Sequence, residues 1–102
     1  MIRAPGGLLA LGRHGGCLTY PSGQAERGAL NCELLDVCGN LDALGYDSVS
    51  ACKTTAAAQE VSEDDCPSFD AGQMTECLDA YREAIDAAAC DADLGNICLV
   101  CG

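Results

Sequence analysis

The chain contains no tryptophan, one phenylalanine and three tyrosines among its 102 residues. Four aromatic side chains do not suggest an aromatic-rich ligand cleft. His14 is the single histidine, and no Ser and Asp are placed to build a triad with it. Basic residues are scarce, five Lys and Arg against sixteen Asp and Glu, and the formal net charge is -11. That balance excludes a nucleic-acid binder, whose affinity comes from cations that neutralise phosphates. It excludes docking on an anionic membrane surface for the same reason. No apolar run approaches the roughly 18 residues that a membrane-spanning helix needs. Gly6-Gly7 and Gly15-Gly16 lack the strand-to-helix setting of a phosphate loop. No N-x-[ST] glycosylation acceptor occurs.

What the chain does have is nine cysteines. That density points to a disulfide scaffold in an oxidising compartment. The core supports this reading. Much of the apolar content is Ala and Cys, and large side chains such as Leu30, Leu34, Met74, Leu78, Tyr81 and Ile85 are thinly spread. Burying one is worth roughly 1.5–3 kcal/mol, while ordering each residue costs about 1.5 kcal/mol. Cross-links worth about 2–4 kcal/mol each would close the gap.

Charge and glycine divide the chain. Residues 1–27 hold Arg3, Arg13 and Arg27 against Glu26, a balance of +2. Residues 28–102 hold Lys53 and Arg82 against fifteen acids, a balance of -13. Residues 1–28 therefore read as a flexible Gly-rich leader, and 29–102 as an acidic, cysteine-rich helical domain. The leader has features of a degenerate or truncated export signal: Arg3 as a positive start and Leu8-Leu9-Ala10-Leu11 as a short apolar stretch. Pro5, Gly6 and Gly7 break the apolar core, and Arg13 and His14 end it. His14-Gly15-Gly16-Cys17 has the small residues of a lipid-attachment site but the wrong first residue, so Cys17 reads as a lipidation site or a free thiol.

From residue 29 the pattern is helical, with no sustained period-two alternation. Asn31 is expected to cap a short helix over Cys32–Cys38, ended by Gly39-Asn40. Asp47 or Ser48 is expected to cap a second through Val49, Cys52 and Ala56-Ala57-Ala58. Val61 to Pro67 is an acidic break. A third helix is marked by the capping-box spacing of Asp70 and Gln73 and by Met74, Cys77, Leu78, Tyr81 and Ile85 at intervals of three and four. It should run to about Ala89, and Leu94 to Cys101 closes the chain as a turn. The predicted class is all-α, a small disulfide-stapled domain of three or four short helices.

Setting Cys17 aside leaves Cys32, Cys38, Cys52, Cys66, Cys77, Cys90, Cys98 and Cys101 as disulfide candidates, and spacing does not choose among their many pairings. Leu35, Val49 and Met74 each precede a cysteine by three positions, a helical placement suited to stapling. Thiolate zinc is the alternative use of these cysteines, but only Cys98-Leu99-Val100-Cys101 has knuckle spacing. The same pair could form a redox motif, although it neither follows a strand nor opens a helix. Asp91 and Asp93 resemble the start of a calcium loop, yet Asn96 and Gly102 stand where Gly and Glu are required. No catalytic residue, metal ligand set or cofactor is assigned.

The stretch Cys66-Pro67-Ser68-Phe69-Asp70, followed by Glu76-Cys77-Leu78-Asp79-Ala80-Tyr81 and Cys90, is similar to the cysteine-rich, Ala- and Asp-rich secreted proteins and lipoproteins of myxobacterial genomes. The resemblance covers about residues 32–101 and implies export and disulfides, with no assigned activity. The expected protein is a secreted, periplasmic or outer-envelope module, binding or structural rather than catalytic. Its charge would favour a basic protein or cationic ligand, or else serve solubility.

Overall fold

The computed structural model describes residues 18–101. Those residues are all-helical with no strand. The helices are α1 (Tyr20–Val37), α2 (Val49–Ala57) and α3 (Ala71–Ala87), with single 3-10 turns at Asp42–Leu44 and Glu63–Asp65 in the connections.

The first helix departs from the sequence expectation. Asn31 does not cap it but lies inside it, and residues 20–28, which read as leader, are its first turns. The start signal lies at Thr19. Its side chain accepts a hydrogen bond from the Ser22 amide while Ser22 Oγ accepts one from the Thr19 amide, and Pro21 falls in the first turn. This is a capping box built with Ser in place of Glu or Gln, and proline suits the first turn because its missing N–H would have no helical partner there. The helix ends as expected at Gly39, whose φ of 70° closes a Schellman turn with Gly39 and Asn40 donating to the carbonyls of Asp36 and Leu35.

Ser48 rather than Asp47 caps α2, accepting from the Ala51 amide at 3.0 Å. Asp70 caps α3, accepting from the Gln73 amide at 2.9 Å. The reciprocal half of that capping box is not made. Gln73 Nε2 donates instead to the Ile97 carbonyl at 2.6 Å, and the Asp70 amide donates to the Val100 carbonyl at 2.9 Å. Both bonds tie the closing segment to the start of α3. Ala88 ends α3 in the left-handed region with φ 49°.

Both other helices pack on α1. The core lies between α1 and α3, where Leu30, Met74, Cys77, Leu78 and Tyr81 meet Cys98 and Val100 of the closing segment. Leu34, Phe69 and Ile85 seal its edge. Tyr20 and Phe69 pack with ring centroids 5.9 Å apart. Two glycines of α1 set the spacing. A Cβ on Gly28 would stand 3.1 Å from the Cβ of Ala56 on α2, and one on Gly23 would collide with Met74 on α3.

Candidate functional site

The cysteines pair as Cys32–Cys52, Cys38–Cys90, Cys66–Cys101 and Cys77–Cys98. The first fastens α1 to α2, and the second joins the end of α1 to the chain just after α3. The other two sew the closing segment onto the connection before α3 and onto the middle of α3. The sequence separations are 20, 52, 35 and 21, so no bridge joins two cysteines that are neighbours in sequence order. Cys32 lies within α1 and Cys38 caps its end, and each reaches a different partner.

These bonds decide the rival chemistries of the cysteines. A sulfur in a disulfide offers no thiolate to zinc, and the described residues contain no cluster of His, Cys, Asp and Glu able to hold a metal. Cys98 and Cys101 are bonded to Cys77 and Cys66, not to each other, so the apparent redox motif is two bridges sharing a turn. Asp93 Oδ1 accepts from the Gly95 amide at 3.1 Å, a local turn. Cys17 and His14 lie outside the described residues.

No charged side chain is buried among the described residues. Three carboxylates pair with cations. Lys53 Nζ lies 2.9 Å from Glu33, and Arg82 bridges Glu26 of α1 and Asp79 of α3. The remaining described acids, including Asp64, Asp65, Glu76 and Asp86, stand exposed without a cation partner.

A cleft of about 440 Å³ opens between α1, α2 and the segment after α2, with Tyr81 of α3 at its wall. Gln24, Arg27, Gly28 and Asn31 of α1 line it at helical spacing. Leu35, Leu44 and Tyr46 supply apolar surface. Gln24 Oε1 is buried without a hydrogen-bond donor. Its amide nitrogen faces the Tyr20 hydroxyl at 3.4 Å. The cleft is hidden in the sequence because the glycines around Gln24 and Arg27 give residues 20–28 the character of a flexible leader. The signal that could have found it was Thr19 two residues before Pro21, a helix start upstream of Asn31.

In comparisons with known proteins, the chain matches no family model, no curated protein and no solved structure.

Proposed function

We propose that the protein is a secreted or envelope-associated module, binding or structural rather than catalytic, whose acid-rich surface engages a basic protein or cationic ligand. The observation that carries this reading is the bridge set. Four disulfides within 84 described residues suit a small domain that holds its shape in an oxidising environment. The exposed, unpaired carboxylates are the surface such a module would offer, because they attract cations and remain hydrated until a partner arrives. The resemblance to myxobacterial secreted proteins and lipoproteins agrees with export. In that setting residues 1–17 would carry the export information, with Cys17 as a lipid attachment point or a thiol.

Thiol and metal content test the framework. The native protein should show at most one reactive thiol, Cys17, and no bound zinc. Several reactive thiols with stoichiometric zinc would overturn the reading. Binding is tested by titration with polylysine. The acidic-surface reading expects association at low salt that weakens steeply as salt rises, and no association at low salt would remove the basic partner.

A further inference from the structure

The lining of the α1–α2 cleft differs in charge from the rest of the surface. Its volume, about 440 Å³, suits a small molecule, since such sites run from about 300 to 1,000 Å³. Residues 28–102 hold fifteen acids, yet no carboxylate lines the cleft. Its one charged side chain is Arg27. The other described cations are engaged, Lys53 with Glu33 and Arg82 with Glu26 and Asp79. Arg27 has no carboxylate partner among the described residues. In so acidic a chain, an unpaired guanidinium in an acid-free cleft suits an anion.

Gln24 adds a second requirement. It lies one helical turn before Arg27 and presents a buried carbonyl oxygen with no donor. Buried acceptors are normally satisfied by protein or by water, so this one has the capacity to take an N–H. Gln24 and Arg27 also border a second depression beside Leu99 and Val100, which again contains no acid. The pair therefore stands on the divide between two acid-free surfaces.

We propose that this cleft binds a small organic carboxylate carrying an N–H beside the carboxylate, the chemistry shared by N-acylated amino acids and peptide C-termini. The carboxylate accepts from the Arg27 guanidinium, whose planar donors match its oxygens. The N–H donates to Gln24 Oε1, and an apolar side chain covers Leu35 and Leu44. The proposal goes beyond the acidic-surface reading and does not depend on it, because the ligand has the opposite charge. The net charge of the domain opposes an anion at long range. Screening within about 8 Å at physiological ionic strength leaves the adjacent guanidinium dominant.

The test is an amide NMR titration of the oxidised protein with N-acetyl-leucine in physiological salt, where polylysine binding to the surface is suppressed. Saturable shifts are expected at Gly28, Asn31 and Ala56, and none with the uncharged methyl ester. Arg27→Gln should weaken binding about tenfold or more, the loss of a charged hydrogen bond. Thr55→Glu, at an exposed position in the wall, places a carboxylate in the cleft and should weaken it by a similar factor without touching the core. A short peptide with a free C-terminal Leu separates the two ligand sources. Tighter binding than N-acetyl-leucine identifies a peptide end, and equal or weaker binding identifies the small molecule. Absence of saturable shifts with either probe at about 10 mM, beyond the weakest useful affinity, overturns the proposal. So does wild-type affinity in both variants. Neither result alters the thiol count that tests the disulfide framework.

Discussion

Gly23 of α1 lies directly against Met74 of α3: a Cβ on Gly23 would lie 2.7 Å from Met74 Cγ and 2.8 Å from its Cε. Met74 is fully buried, so its side chain has little space into which to withdraw. Gly23→Ala should therefore destabilise the domain by about 1–3 kcal/mol, the usual cost of overpacking. This reverses the ordinary gain from replacing glycine within a helix. Combining it with Met74→Ala should cost less than the two changes separately, because the second removes the atoms that the first strikes. Urea denaturation of the four proteins checks this. Strict additivity would mean that the two residues do not press on each other.

Ala88 presents the opposite case. It holds the left-handed conformation at the end of α3, with φ 49°, where a Cβ crowds the following carbonyl. Ala88→Gly should raise stability by about 0.5 kcal/mol, the relief of that crowding less the added freedom of glycine in the unfolded chain. Its side chain is exposed, so no packing is lost. A fall in the thermal midpoint would contradict the expectation.

The four bridges should open in order of exposure. Cys90 is exposed and Cys38 half-buried, whereas Cys32, Cys52, Cys77 and Cys98 are buried. Limited reduction with a phosphine followed by alkylation should label Cys38 and Cys90 first, because access governs the rate of exchange. Cys66–Cys101, with only Cys101 exposed, should follow. Replacing both Cys38 and Cys90 by Ser should cost about 2–4 kcal/mol, and this bridge closes the longest loop, of separation 52. Mass spectrometry of the labelled peptides reads both the order and the pairing. First labelling at Cys77 and Cys98 would contradict the order.

Asp70→Ala should cost about 1 kcal/mol, the usual loss for an N-cap whose side chain accepts from the helix. Gln73→Ala acts at a different point, since it frees the Ile97 carbonyl rather than a helix amide. Hydrogen exchange separates them: Asp70→Ala should raise exchange at the Gln73 amide, and Gln73→Ala should loosen the segment around Ile97 and Cys98. Identical exchange patterns would show that the two residues act as one capping unit.

Much of the fold was legible in the sequence. The third helix could be read from Met74, Cys77, Leu78, Tyr81 and Ile85 because their spacing puts them on one face, four of them buried. The second followed from Ser48 and the alanine run. The first was half missed for a physical reason. Gly23 and Gly28 lower helix propensity by about 1 kcal/mol each relative to alanine, so residues 20–28 resembled a flexible leader. In the folded protein those glycines are contact points, one against Met74 and the other against Ala56. The cleft was lost with them, because Gln24 and Arg27 acquire a shared face only once the helix is extended back to Tyr20.

Periodicity, capping residues and cysteine density are local or compositional properties, and they suffice to make the domain helical and to place its cysteines for cross-linking. The tertiary structure decided which cysteines pair and which carboxylates find a cation. Those outcomes depend on distances between residues far apart in the chain, such as Cys38 and Cys90 or Glu26 and Arg82, which only the packing of α1 against α2 and α3 sets.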